Sequence, residues 1–92
     1  MTQKIIRSLA ILNEKGLHAR ASAKFVETVE KFDATAQIWK DGLDASGDSI
    51  MGLLMLAASK GTSIEIETGG KQAIELADAL QDLLDNRFGE ER

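Results

Sequence analysis

The apolar residues of this chain switch repeatedly between a spacing of two and the spacing of a helix, and that alternation limits the folds open to it. Residues 5–12, Ile-Ile-Arg-Ser-Leu-Ala-Ile-Leu, put Leu9 and Ile11 on one side of an extended segment. Asn13-Glu14-Lys15-Gly16 reads as a loop. From His18 the period lengthens: Ala21, Phe25, Val29 and Phe32 recur every three or four residues with Val26 beside them. That is the stripe of a helix of about four turns, ended by Asp33 and Ala34. Residues 35–40 read as a strand, Asp41-Gly42 as a tight hairpin turn, and Leu43-Asp44-Ala45 as the return strand. Residues 49–59 read as helix, stopped by Lys60-Gly61. Ile64 and Ile66 alternate with Glu65 and Glu67 in a strand over 63–68, and Gly69-Gly70 turns the chain. Residues 71–87 form a last helix with the stripe Ala73, Leu76, Ala77, Leu80, Leu83 and Leu84.

The predicted order is β-α-β-β-α-β-α. Strands with one polar face and helices with one apolar stripe stack in two layers. The fold class is therefore α+β: an open-faced sandwich, with a four-stranded antiparallel sheet covered on one face by three helices. With 92 residues the chain is expected to form one domain, residues 1–92. A domain of this size buries only ~60–65% of its unfolded surface, so a surface site is expected rather than a deep cleft.

Composition removes several classes of function. A hydrophobic fraction of 43% argues against disorder. No apolar run approaches the ~20 residues that span a bilayer. Met1 to Arg7 offers neither a long apolar stretch nor a small-residue cleavage site, so no signal peptide is expected. Cysteine is absent, which excludes disulfides and thiolate chemistry and makes a bacterial-type cytoplasm the expected location. A net charge of −4 disfavours nucleic acid and anionic membrane surfaces as partners. With one histidine, and with Glu14, Asp44, Asp48, Glu65 and Glu67 spread as solvated charge, no metal site, carboxylate dyad or cofactor is expected.

Three places remain where chemistry could sit. In Gly16-Leu17-His18-Ala19-Arg20-Ala21-Ser22, His18 stands where a loop becomes a helix. A helix start presents unpaired N–H groups and the positive end of the dipole, and so favours anions. Arg20 in the first turn opposes that dipole, which makes sense if an anion sits there, since a guanidinium matches phosphate geometry. A histidine at such a spot can take a phosphoryl group as nucleophile. It can equally be a surface residue with a capping role, and spacing alone favours the latter. The second place is helix 49–59. Leu53, Leu56 and Ala57 share one face, while Ile50, Met51, Leu54 and Ala58 share the opposite one. A two-layer core takes only one of these, so the other reads as a docking surface, which Met51 and Met55 suit by their adaptability. The third is Ser49, a good N-cap that a kinase could also modify.

At these residues the chain resembles a known family. Gly16-Leu17-His18-Ala19-Arg20 followed by a helix is similar to the active-site motif of the HPr family, the histidine-containing phosphocarriers of the phosphoenolpyruvate-dependent phosphotransferase system. Ser49-Ile50-Met51-Gly52-Leu53-Leu54-Met55-Leu56 resembles that family's second motif, which carries a regulatory serine. The separation of the two motifs and the element order match as well, so the resemblance covers essentially the whole chain. It implies that His18 carries a phosphoryl group on Nδ1, taken from phosphorylated enzyme I and passed to a histidine of a IIA-type acceptor. It further implies that Arg20 holds the phosphoryl oxygens and that Ser49 is the position an HPr kinase/phosphorylase would use. No cofactor is implied, and a monomer is expected. Ala19, Ile50, Met51 and Leu54 form the expected docking pad, which requires the starts of both helices to lie at one end of the sheet. Ala21 stands where the family usually has proline, and Asp48 where several members carry lysine or a neutral residue. The sugar-transport and nitrogen-regulatory branches both fit.

Two alternatives come from other classes. Gly47-Asp48-Ser49-Ile50 resembles the acyl carrier attachment motif, with phosphopantetheine on Ser49. That family is all helical, which the Ile64/Ile66 alternation and the Asp41-Gly42 hairpin contradict. A docking-only regulatory paralogue is opposed by the presence of both His18 and Arg20.

Overall fold

Alternation of buried and exposed side chains along the strands sets the layout of the molecule. The computed structural model describes residues 3–92. It comprises β1 (Gln3–Ala10), α1 (Ala19–Glu30), β2 (Thr35–Lys40), β3 (Leu43–Ser46), α2 (Ile50–Met55), β4 (Ser63–Gly70) and α3 (Ala73–Asp85), followed by a single 3-10 turn at Arg87–Gly89. The strands lie in the order β1-β4-β2-β3, and every neighbouring pair is antiparallel. Leu9, Ala36, Ile38, Ala45, Ile64 and Ile66 face the helices and are buried, whereas Ile6, Trp39 and Glu65 lie on the opposite, exposed face. The α+β order predicted from the sequence is the order observed, with the last turn added.

The helices meet the sheet through their predicted stripes. Ala21, Phe25, Val26 and Val29 of α1 and Leu76, Ala77, Leu80 and Leu84 of α3 form one buried cluster with Ile38, Ile64 and Ile66. Phe25, Leu76 and Leu80 are wholly buried, each stabilising the fold by about 1.5–3 kcal/mol. The buried Thr68 hydroxyl donates to the carbonyl of Ala73 at 2.7 Å, tying β4 to the start of α3.

Several boundaries differ from the sequence reading. Helix α2 ends at Met55, not Ser59: Leu56 and Ala57 donate to the carbonyls of Leu53 and Leu54, a tightening of the last turn, and Ala57 then turns left-handed at φ 51°. This places Ala58 in the core and leaves Ala57 exposed, the reverse of their predicted faces. Strand β4 runs through Gly69 and Gly70 instead of turning there. Gly70, at φ 115°, passes so close to Ala34 that an added Cβ would stand 3.1 Å from its Cα. Strand β1 begins at Gln3 and ends at Ala10, although Ile11 still exchanges backbone hydrogen bonds with Thr62 and Gly61. Helix α1 stops at Glu30, α3 at Asp85. No helix among the described residues is long and apolar enough to cross a membrane.

Candidate functional site

The loop between β1 and α1 is held from beneath before it presents any chemistry. Asn13 is fully buried, and its Nδ2 donates to the carbonyl of Gly16 at 2.8 Å. Gly16 has φ 66°, and a Cβ there would stand 2.3 Å from the carbonyl oxygen of Ala58. Only glycine lets the loop approach the segment after α2 this closely. Leu17 is buried; its N–H donates to that Ala58 carbonyl at 2.9 Å, and its own carbonyl accepts from the Ser22 hydroxyl at 3.2 Å. The residue that follows therefore leaves a fixed point.

That residue is His18, in extended conformation at φ −75° and ψ −177° as the N-cap of α1. Its carbonyl accepts the first helical bond, from Ser22 N at 2.8 Å. Its Nδ1 accepts from the backbone N–H of Arg20 at 3.2 Å. The other ring nitrogen, Nε2, faces Oε2 of Glu90 at 2.5 Å. An acceptor role for Nδ1 and a carboxylate opposite Nε2 together assign the proton of the neutral ring to Nε2. About a quarter of the His18 side chain remains exposed. Ala19 and Arg20 are exposed, the first turn of α1 holds no acidic residue, and the Arg20 guanidinium pairs with no carboxylate among the described residues. The site thus offers an imidazole lone pair, unpaired helix N–H groups and an unengaged cation at one surface point, which suits an anion with several oxygens.

Glu90 comes from the far end of the chain. Phe88 is buried and its carbonyl accepts from Lys24 Nζ, while Glu14 N donates to the Arg92 carbonyl at 3.0 Å. Oε1 of Glu90 accepts from Asn13 Nδ2 at 3.2 Å. Burial alone would push the Glu90 carboxyl up. The hydrogen bonds from His18 and Asn13, helped by the nearby charges of His18 and Lys15, outweigh it and hold the carboxyl below its ordinary range.

Ser49 is the N-cap of α2, its hydroxyl accepting from Gly52 N at 3.0 Å. The apolar residues of α2 split into two sets. Leu53 and Leu56 are buried, Leu54 is half-buried, and Ile50, Met51 and Met55 are exposed by 40%, 68% and 74%. The expected juxtaposition of the two helix starts is not what the structure shows. β1 ends beside Ser63, at the start of β4, whereas β3 runs the other way and ends at Ser46, level with Gln37 and Glu67. The end of α2 that approaches His18 is accordingly its C-terminal one, through Ala58, and Ser49 lies one short helix away. Met55 therefore stands nearer the histidine loop than Met51 does.

Sequence reasoning missed Asn13 and Glu90. Neither carries a periodic signal: one is a polar residue in a loop, the other sits in the charged stretch Glu90-Glu91-Arg92. The available clue was Phe88-Gly89, an apolar residue and a glycine beyond the last helical stripe, which marks a chain folding back onto the core.

The chain is also similar to proteins already known. Residues 5–86 match the family described as the PTS HPr component phosphorylation site. The phosphocarrier protein HPr of Neisseria meningitidis is 49% identical over 84 residues, covering 91% of this chain and 94% of that protein. Among solved structures, an HPr from Thermoanaerobacter tengcongensis superposes with a TM-score of 0.90 at 36% identity, covering 96% of this chain and 99% of that one. The HPr of Bacillus anthracis superposes with a TM-score of 0.83 at 34% identity, covering 88% and 96%.

Proposed function

This chain belongs to the HPr family, the phosphocarriers of the phosphotransferase system, and from that premise we propose that it accepts a phosphoryl group on Nδ1 of His18 from phosphorylated enzyme I and hands it to a histidine of a IIA-type acceptor. One observation carries the reading: the only histidine of the chain caps an exposed helix start with its Nδ1 lone pair toward the Arg20 amide, and the guanidinium of that exposed arginine pairs with no carboxylate among the described residues. In the transfer the Nδ1 lone pair forms the new N–P bond. The bond from phosphorus to the donor nitrogen breaks, and its electron pair stays with the donor. The Arg20 guanidinium and the first N–H groups of α1 supply hydrogen bonds to the phosphoryl oxygens as charge moves onto them. Transfer onward to the acceptor is the same displacement in reverse sense.

Partner proteins must bring a histidine to bonding distance, which requires flat contact around His18. Ala19 and the exposed residues Ile50, Met51 and Met55, with the half-buried Leu54, supply an apolar pad for it. Phosphorylation of Ser49 would add ~1.5–2 negative charges at the far edge of that pad and so weaken docking without touching the ring. The test is incubation with phosphoenolpyruvate and enzyme I followed by intact-mass measurement. Wild type should gain one acid-labile phosphoryl group, and His18→Ala none. Arg20→Met should slow the transfer by an order of magnitude or more, since a preorganised donor contributes ~2.7–4 kcal/mol to such steps. Undiminished phosphorylation of His18→Ala would overturn the reading.

A further inference from the structure

We infer that Glu90 is a positioning residue for the His18 ring: by binding the Nε2 proton it leaves Nδ1 as the only nucleophilic nitrogen, and it balances the positive charge the ring takes on when Nδ1 is phosphorylated. This rests on the reading of His18 as the phosphoryl acceptor and goes beyond it, because that reading needs a lone pair on Nδ1 but names nothing that keeps it there.

The geometry is reciprocal. Nδ1 accepts from Arg20 N, and Nε2 lies 2.5 Å from Oε2 of Glu90. A carboxylate has only acceptor sites, so it admits one tautomer, with the proton on Nε2. Glu90 is itself fixed rather than trailing in solvent. Its second oxygen accepts from Asn13, whose side chain is fully buried and also holds the Gly16 carbonyl two residues before the histidine. The backbone that delivers it is anchored on both sides, by buried Phe88 with the Lys24 bond to its carbonyl, and by the Glu14 bond to Arg92. Asn13 thus sets the height of the ring and the height of its carboxylate partner together.

The electron count gives the carboxylate a further part. When the lone pair of neutral Nδ1 forms the N–P bond, the ring keeps its Nε2 proton and becomes a cation. Glu90, 2.5 Å from that nitrogen, is the counter-charge. Lys15 and Arg92 lie in the same surface depression as Glu90, with Glu14 and Glu91 as the other carboxylates there, so Glu90 is the only one of the three acids bonded to the ring.

A small donor without a docking surface isolates this role from partner binding. Wild type, Glu90→Ala and Glu91→Ala are treated with potassium phosphoramidate, and the phosphorylated ring nitrogen is identified by long-range proton–nitrogen and phosphorus NMR. Wild type and Glu91→Ala should give the Nδ1 adduct alone. Glu90→Ala should give both Nδ1 and Nε2 adducts, with Nδ1 phosphorylation slowed by ~10–10²-fold, the range seen when the carboxylate partners of metal-bound histidines are removed. A Glu90→Ala product confined to Nδ1 at the wild-type rate overturns the inference while leaving His18 as the acceptor. No ring phosphorylation in wild type overturns both. A measurement independent of any variant is the tautomer of unmodified wild-type His18 at mildly alkaline pH. A spectrum of the Nε2-protonated form alone supports the inference, and a mixture of the two forms overturns it.

Discussion

Replacing Gly16 by alanine tests whether the histidine loop is held by close approach to the segment after α2. Alanine at φ 66° costs about 1–2 kcal/mol in a left-handed conformation, offset by about 0.4–1 kcal/mol because the unfolded chain also loses freedom. The larger effect is steric. The new Cβ would stand 2.3 Å from the Ala58 carbonyl oxygen and 2.9 Å from Ser59 Cα, both rigid backbone atoms. The loop must move away, and the Leu17 N–H bond to that same carbonyl lengthens or breaks, at a further cost of about 0.5–1.5 kcal/mol, or more if the buried N–H finds no substitute. Together these contributions come to about 0.5–3 kcal/mol, and to more if the buried N–H stays unpaired. Gly61→Ala is the internal control: φ is 88°, but no atom lies within 4 Å of the added Cβ, so only the conformational cost of about 1 kcal/mol applies. Calorimetry separates them, because 1 kcal/mol moves the midpoint by about 4–8 °C in a domain of this size. The same displacement carries His18 away from its position, so Gly16→Ala should also transfer phosphoryl groups more slowly while Gly61→Ala does not. Equal loss of stability in the two variants would refute the argument, since it would mean that the loop has room beneath it.

Further expectations follow from α2 and the chain terminus. Leu53→Ala should cost about 2–5 kcal/mol in urea unfolding, as a wholly buried side chain. Met51→Glu, two-thirds exposed, should change stability by less than ~0.5 kcal/mol yet raise the apparent KM for enzyme I, and an unfolded Met51→Glu would show that face to be core. Ala57→Gly should raise the urea midpoint by the equivalent of about 0.5–1 kcal/mol, because glycine relieves the left-handed conformation at φ 51°. Glu90 has its carboxyl held below the ordinary range, so its contribution to stability is present above the unfolded value of ~4.3 and is lost as pH falls through the folded one. The stability gap between wild type and Glu90→Gln should accordingly close in acid, and a gap that is unchanged with pH would mean that the ionised form makes no special contribution.

What the sequence made legible is what periodicity controls. Ile64 and Ile66 against Glu65 and Glu67, and the stripe from Ala21 to Val29, each encode which side of an element faces the core, and the observed burial follows them. Stops were harder to place. The apolar run from Ile50 to Ala58 continues past the end of α2, because the chain leaves the helix through the left-handed Ala57, a residue with no sequence signature for that conformation. The cause lies elsewhere in the chain: the carbonyl of Ala58 must turn to meet Leu17 N, and Gly16 must lie flat against it. The site shows the same division. His18 and Arg20 are visible because a loop, a helix start and an opposed charge are adjacent in sequence. Glu90 is separated from His18 by 72 positions, and it reaches the ring only because Phe88 is buried and Asn13 receives it. A motif that presents a nucleophile is local, since it needs one loop and one helix turn. A group that is to fix which nitrogen attacks must approach the ring from the side opposite the helix, and on that side Nε2 meets Glu90, brought there by chain returning from the other end of the fold.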